Sequence, residues 1–225
     1  MKRLIDQWKA VLLVLLLLGL IIMSFSHMMG GFHSFLLAEH MDYWSGQKKD
    51  PSGEDLLKMD TLYNQASNHL LYDPELLQFG GHLSEWQAYT SDGEVKRKFF
   101  SEALVRYRES IDENPMWPYV RFDLAKAKIR ASEIDAEFQN ALRETMRLGP
   151  NERSLQVGVV QLGLLTWHLL DDSTREIVLM AVNKVLKRNP KDLYRASKDY
   201  KRVELLCSLV HDNDWINKAC LTELE

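Results

Sequence analysis

Four proline residues constrain the fold of this chain more than any other feature. Each follows an apolar, helix-like stretch: Asp73-Pro74, Asn114-Pro115, Gly149-Pro150 and Asn189-Pro190. The intervals between these prolines are 41, 35 and 40 residues. Because proline cannot continue a helix and disfavours the α conformation of the preceding residue, each site predicts that one helix ends and another begins. Recurrence at this period predicts an α-solenoid of helical hairpins of the tetratricopeptide kind.

The composition favours an all-α fold. Hydrophobic residues make up 46% of the 225 residues and charged residues 27%, enough for a solenoid of about three to four hairpins. A 3.6-residue periodicity recurs after Asp55, and Asp92-Gly93 lies between helical segments, not between strands. The predicted helices are Asp55–Leu71, Pro74–Tyr89, Glu94–Glu113, Pro118–Ala131, Ile134–Leu148, Ser154–Leu170, Ser173–Arg188, Lys198–His211 and Asp214–Leu224.

The N-terminal region contains a segment suited to a membrane. Residues 10–25 carry no charge, and the apolar stretch extends from Trp8 to Met29. A helix of that length spans a hydrocarbon core of ~30 Å at ~1.5 Å per residue. A cleaved signal peptide is the alternative, but no A-x-A triplet follows and bulky residues continue through Met28 and Met29. We therefore predict an uncleaved signal anchor at residues 10–29.

The flanking charges predict the orientation of this anchor. Lys2, Arg3 and Lys9 precede it, whereas the charges that follow are of mixed sign. The positive-inside bias predicts a cytoplasmic N-terminus at residues 1–9 and a periplasmic body, with the anchor in the inner membrane of a Gram-negative bacterium. Residues 30–54 are predicted to be a juxtamembrane connector, and residues 55–225 a tetratricopeptide-like domain.

One repeat unit is well defined by its spacing. Ala103, Tyr107, Ser110 and Pro115 match the second helix of a tetratricopeptide hairpin, in which small residues allow close helix packing and an aromatic residue fills the next groove. The other units are degenerate, so an ordinary helical bundle is the alternative. Residues that define the predicted repeats are Ala103, Tyr107, Ser110, Pro115, Trp117, Pro118, Pro150 and Pro190.

Residues 154–170 form a second uncharged stretch of 17 residues. A second membrane span is conceivable at the lower length limit. The polar residues Gln156, Gln161 and His168 favour a helix buried by its neighbours instead. In that case Gly158 and Gly163 mark close contacts between helices.

The sequence offers no clear catalytic, cofactor or metal motif. Gly30-Gly31 and Gly80-Gly81 lack the spacing of a phosphate-binding loop, and the seven histidines form no ligand pattern. No basic stripe is interleaved with aromatic residues, which disfavours nucleic-acid binding. We predict a protein that is not an enzyme and has no cofactor. A two-carboxylate polysaccharide-acting enzyme is the less favoured alternative, since 32 carboxylates guarantee accidental pairs.

The two cysteines lie at similar distances from a predicted turn. Cys207 precedes Asn213 by six residues, and Cys220 follows it by seven. In an antiparallel hairpin these positions face each other, and an oxidising periplasm permits a disulfide between them. Two reduced, buried thiols are the alternative.

Six short elements of the central region stand out: Tyr107-Arg108, Pro115-x-Trp117-Pro118, Leu124-Ala125-Lys126-Ala127-Lys128, Asp135-Ala136-Glu137-Phe138, Leu148-Gly149-Pro150 and Leu162-Gly163-Leu164. Together they resemble the VpsP family of bacterial exopolysaccharide-biosynthesis proteins. The resemblance covers about sixty residues, and the layout of an anchor before a tetratricopeptide-like body also fits. It implies a role in making or exporting an extracellular or capsular polysaccharide, and it brings no catalytic residue with it.

A partner groove is predicted on the first helix of each hairpin. Tyr119, Phe122 and Lys126 share one face at i, i+3 and i+7, offering aromatic surface and a cation to a peptide or a polysaccharide acid. Phe122 as plain packing and Trp117 as a helix joint are the simpler interpretations. We predict a non-catalytic adaptor that binds polymerase, ligase or export components of polysaccharide assembly. A general periplasmic peptide-binding or chaperone-like module is the alternative.

Overall fold

The computed structural model describes residues 2–47, 51–70 and 72–223, and this part of the chain contains helices and no strands, as predicted. Eleven α-helices and one 3₁₀ turn follow each other along it. They are α1 (Lys2–Gln47), α2 (Gly53–Ser67), α3 (Pro74–Tyr89), α4 (Gly93–Glu113), α5 (Pro118–Arg130), α6 (Ala136–Leu148), α7 (Arg153–Thr166), the 3₁₀ turn Trp167–Leu169, α8 (Asp172–Arg188), α9 (Pro190–Asp199), α10 (Val203–Leu209) and α11 (Asp214–Glu223).

The chain divides into two compact units between Phe99 and Phe100, whereas the sequence suggested one domain from residue 55 onward. The first unit contains α1, α2, α3 and the beginning of α4. The second contains the rest of α4 and the helices α5–α11.

Helix α1 continues well past the predicted anchor. Side chains from Val11 to Phe25 are exposed all round, and Val11–Met41 is the one segment in the described residues that is long and apolar enough to cross a membrane. Beyond Phe25, one side of α1 is covered by α2 and α3, and Leu37, Met41 and Trp44 are buried there. These three residues, which fall in the predicted connector, therefore help to form the core of the first unit. Lys48, Lys49 and Asp50 lie outside the described residues.

Side-chain caps and prolines determine where most helices begin. Asp73 accepts a hydrogen bond from the amide of Leu76 at 2.8 Å, and Pro74 occupies the first helical turn, where its missing N–H costs nothing. Asp171 caps α8 in the same way through Thr174, at 2.7 Å. Asn189 caps α9, whose first turn contains Pro190. The helix ends and restarts predicted at Pro74 and Pro190 are thus present.

The predicted helix Lys198–His211 is wrong. Its place is taken by the end of α9 and by the short helix α10, and α9 begins already at Pro190. The break falls at Lys201, whose φ of 55° is left-handed and incompatible with a continuing α-helix. Leu193 and Ala196 of α9 are buried, which explains why this polar segment folds as a helix.

Helix α7 is buried inside the second unit, as predicted for a helix enclosed by its neighbours. A β-carbon on Gly158 would lie 2.2 Å from Cζ of Phe122 on α5. A β-carbon on Gly163 would lie 2.4 Å from Cγ2 of Val178 on α8. Both glycines therefore mark close contacts between helices, which confirms the prediction made for them.

Cys207 of α10 and Cys220 of α11 are joined by a disulfide, and their Cα atoms lie 6.1 Å apart. The bond closes a loop with a sequence separation of 13 residues. The two helices also contact each other directly, and α10 contacts α9. The disulfide therefore holds α11 against α10, and contacts with α9 attach this hairpin to the remainder of the second unit.

Candidate functional site

The candidate site is a concave surface between α7 and α9, with a cavity volume of about 540 Å³. Arg153, Val157 and Gln161 line it from α7 at intervals of four residues, so they share one face of that helix. Helix α9 contributes Asp192, Arg195, Ala196 and Asp199. We call this surface the α7–α9 groove.

Two arginines approach one carboxylate in this groove. Arg153 forms an ion pair with Asp192, and Arg195 Nη1 lies 4.0 Å from the other Asp192 oxygen. The side chain of Asp192 is only 15% exposed, whereas those of Arg153 and Arg195 are 61% and 75% exposed. Because each guanidinium has five N–H donors, one shared carboxylate leaves donors on both arginines for a bound molecule.

The predicted groove residue Tyr119 lies at the edge of this surface. Its hydroxyl donates a hydrogen bond of 3.0 Å to Glu152, which also lines the α7–α9 groove. This hydrogen bond to a carboxylate raises the pKa of the Tyr119 phenol. Trp117 packs beside it, with ring centroids 5.2 Å apart, and remains 45% exposed. The start of α5 thus adds aromatic surface next to the arginines.

Phe122 and Lys126, which were predicted to line a partner groove, make contacts within the protein instead. The ring of Phe122 packs against Gly158 of α7, so it holds α5 and α7 together and is half-buried. The ammonium of Lys126 pairs with Asp123 at 2.8 Å and lies 5.4 Å from the centroid of the Phe122 ring. Of the three predicted residues, only Tyr119 reaches the groove, through Glu152.

The residues of the predicted repeat have structural positions in the second unit. Ala103, Tyr107 and Ser110 of α4 are completely buried. Trp117 is the N-cap residue of α5 and Pro118 its first residue, which matches the joint predicted there. Pro115 and Pro150 lie in the turns before α5 and α7. The carbonyl of Pro150 accepts hydrogen bonds from Gln156 and Lys184, both at 2.7 Å.

A cluster of charged side chains holds α5, the helix that carries Tyr119 and contacts α7, against its neighbours. Lys128 of α5 is 1% exposed, and its ammonium lies 3.0 Å from Glu133, 3.0 Å from Asp135 and 2.7 Å from Glu137. Arg108 of α4 donates two hydrogen bonds of 2.8 Å to Glu137. The cluster therefore joins α4, α5 and α6 through a single glutamate.

The pKa values in this cluster follow from these contacts. The hydrogen bonds from Arg108, supported by those from Lys128, lower the pKa of Glu137 from 4.5 to about 2, although partial burial opposes the change. Burial disfavours the Lys128 ammonium, but its carboxylate partners outweigh that effect and its pKa is raised.

The lowered pKa of Glu137 predicts a loss of stability in acid. Because the carboxylate is favoured in the folded chain, its contribution is complete above about pH 4.5 and is lost as the pH falls towards 2. With this side chain 38% exposed, we discount the shift to about 1–2 kcal/mol of stability. Glu137→Gln removes this titrating carboxyl group. Between pH 4.5 and 2, the α5–α6 region of the variant should therefore lose less protection from hydrogen exchange than that of the wild type. Hydrogen exchange of residues 118–148 in the detergent-solubilised chain measures the two losses, and equal losses in the wild type and the variant would contradict the prediction.

Sequence reasoning missed Arg153, Asp192 and Arg195 because the predicted helices left out residues 190–197, although a restart was predicted at Pro190. Asn189-Pro190 signals the start of α9 as well as the end of α8 and could have indicated these residues. Within the described residues, no group of three or more His, Cys, Asp or Glu side chains could hold a metal ion.

Comparison with known proteins adds no assignment to this geometry: no family model, curated protein or solved structure matches the chain.

Proposed function

We propose that this protein is a membrane-anchored, non-catalytic adaptor of helical-repeat type, acting in exopolysaccharide or capsule biosynthesis or export. It binds another assembly component, such as a polymerase, ligase or export protein, through the α7–α9 groove. The resemblance of its central segments to the VpsP family supports the pathway, and the groove supports a binding role.

The observation that carries this proposal is the pair of exposed arginines in the groove. Arg153 and Arg195 share Asp192, so they retain unused donors beside an aromatic edge at Tyr119. The lining also holds the carboxylates of Glu152 and Asp199, so the groove presents guanidinium donors beside carboxylate acceptors, and aromatic residues and arginine are enriched in binding surfaces. A partner segment with both acidic and basic side chains fits this chemistry.

The order of helix contacts supports a tetratricopeptide-like stack in the second unit. Consecutive helices pair as α5 with α6, α7 with α8, and α9 with α10. The first helices of these pairs also contact each other, α5 with α7 and α7 with α9, and the second helices α6 and α8 do the same. In a stack of hairpins the first helices line one continuous surface, which is where the α7–α9 groove lies.

The exposed apolar part of α1 supports an inner-membrane anchor. Exposure of the apolar side chains from Val11 to Phe25 has an unfavourable free energy in water but a favourable one in a bilayer. With Lys2, Arg3 and Lys9 before it, the proposed topology has a cytoplasmic N-terminus and a periplasmic body.

Neutralising both groove arginines should abolish the proposed function without unfolding the protein. In cells that lack this chain, the Arg153→Gln/Arg195→Gln variant should fail to restore extracellular polysaccharide, whereas the wild-type chain restores it. Lys187→Gln/Arg188→Gln is the matched control, because it removes two exposed cations from α8. Full restoration by the groove variant at equal expression would contradict a role for the groove.

Partner identity separates this proposal from a general peptide-binding module. A photocrosslinking amino acid at Gln161 in the groove should capture a protein of polysaccharide assembly, and the same residue at Lys187 should not. Capture of many unrelated periplasmic proteins would favour the chaperone-like alternative. Unchanged polysaccharide in cells without the chain would remove the pathway from the proposal.

A further inference from the structure

The turn between α2 and α3 lies beside the point where α1 ceases to be exposed all round. Ser26 Oγ of α1 and His69 Nδ1 of the turn are 2.9 Å apart. A β-carbon on Gly30 would lie 2.5 Å from Cγ of Leu70 and 2.9 Å from Cβ of His69, so glycine allows the turn to press against α1. The turn is therefore fixed at the level of residues 26–30.

The length of α1 sets the depth of this level in a membrane. At ~1.5 Å per residue, the 20 residues from Val11 to Gly30 extend ~30 Å, the thickness of a hydrocarbon core. Trp8, which is 67% exposed, then lies at one interface, and Ser26–Gly30 lie at the other. At this second level α1 also exposes Phe25 and Met28, as expected for side chains in contact with lipid.

Tyr72 completes the turn in a conformation that displays its ring. Its φ of 61° lies in the left-handed region, which is uncommon for a residue that is not glycine. Its side chain is 74% exposed although α2 and α3 bury apolar residues such as Leu56, Met59 and Leu76 nearby in sequence. Tyrosine is enriched at membrane interfaces because its ring is apolar and its hydroxyl remains hydrated.

We propose that the α2–α3 turn is a second membrane contact, in which Tyr72 inserts into the interfacial layer of the leaflet on the side of the body. This inference rests on the proposed anchor, since α1 supplies the depth reference. The contact would hold the first unit upright on the bilayer by two points, α1 and the turn, instead of by a single helix. The turn would contact lipid headgroups and the upper part of the acyl chains.

Depth measurements with single nitroxide labels test this contact. The two native cysteines are disulfide-bonded, so an introduced cysteine is the one free thiol available to the label. The full chain is reconstituted in nanodiscs of phosphatidylethanolamine and phosphatidylglycerol, and accessibility to oxygen and to a water-soluble nickel chelate is measured. Labels are placed at Tyr72 and Asn68 in the turn, at Ile22 in the exposed part of α1, and at Thr90. Thr90 follows α3 and lies ~24 Å along that helix from the turn.

We expect Tyr72→Cys to lose most of the nickel accessibility that Thr90→Cys shows, and Ile22→Cys to lose almost all of it. Asn68→Cys provides a second position if Tyr72→Cys does not fold. If Ile22 is shielded but both turn positions are as accessible as Thr90, the turn does not contact lipid and the inference is overturned while the anchor stands. If Ile22 itself is as accessible as Thr90, the anchor proposal fails.

Discussion

Replacing Lys128 with glutamate should unfold the α5–α6 hairpin. The substitution places a fourth carboxylate where an ammonium now lies within 3.0 Å of Glu133, Asp135 and Glu137. With the side chain 1% exposed, water screens the repulsion only weakly at this position. Removing one partner of a buried ion pair alone costs ~3–5 kcal/mol, so we expect a loss of at least about 4 kcal/mol.

The backbone makes this position more sensitive still. The carbonyl of Lys128 accepts a hydrogen bond of 2.8 Å from the amide of Glu133, across a turn in which Ser132 has a φ of 62°. The side chain and the main chain of Lys128 therefore hold the same turn. Disruption of this turn by Lys128→Glu should also destabilise the packing of α4, because Arg108 of α4 binds Glu137 of the same cluster.

Hydrogen exchange of the detergent-solubilised chain measures this effect, with residues 118–148 compared with residues 53–89 of the first unit. Lys128→Met is the matched control, since methionine keeps an unbranched stem without charge. The carboxylates around it are 38–53% exposed and can be hydrated in part, so this control should cost about 3 kcal/mol, less than the glutamate variant. Equal loss of protection in both variants would show that loss of the ammonium, and not repulsion by an added carboxylate, decides the stability at this position.

The first and last parts of the fold show how far the sequence could predict it. The proline at the Asp73-Pro74 joint predicted a helix end and a helix start, because the restriction that proline imposes depends on neighbouring residues alone. The length of α1 did not follow in the same way. Leu37, Met41 and Trp44 fall in the predicted connector, and their burial against α2 and α3 depends on residues that lie far away in the sequence.

The candidate site was harder to predict because it depends on tertiary contacts. Tyr119 was identified from its helix face, but its partner Glu152 is 33 residues away. Arg153 and Asp192 are separated by 39 residues and meet only because α9 packs on α7. The Lys128 cluster likewise selects three of the 32 carboxylates through the turn at Ser132.

Close contacts at glycine were predictable in kind but not in partner. An uncharged helix that contains Gly158 and Gly163 predicted that other helices approach it closely. The identities of Phe122 and Val178 follow only from the arrangement of α5, α7 and α8. This distinction matters for the second large effect, because the partner decides whether a substitution can be relieved.

Gly163→Val should disrupt the contact between α7 and α8. A β-carbon at residue 163 would lie 2.4 Å and 2.6 Å from the two methyl groups of Val178, and 3.1 Å from its Cβ. A different rotamer of Val178 moves the methyl groups but not Cβ, so relief requires the helices to separate. Helix propensity alone predicts the opposite sign, since valine is better than glycine in a helix interior by roughly 0.3 kcal/mol. Overpacking typically costs ~1–3 kcal/mol, and two further methyl groups in this contact raise our expectation to about 4 kcal/mol.

A smaller pair of substitutions isolates the contact. Gly163→Ala and Val178→Ala should each destabilise α7 and α8, the first by overpacking and the second by leaving a cavity. Combined, they exchange methyl groups across the same interface, so the double variant should lose less protection than the sum of the two single variants. Hydrogen exchange of residues 153–188 gives all three values. Strict additivity, or a Gly163→Val chain as protected as the wild type, would mean that the α7–α8 contact is wider in solution than these distances require, and the α7–α9 groove would then lose the rigid support on which partner binding depends.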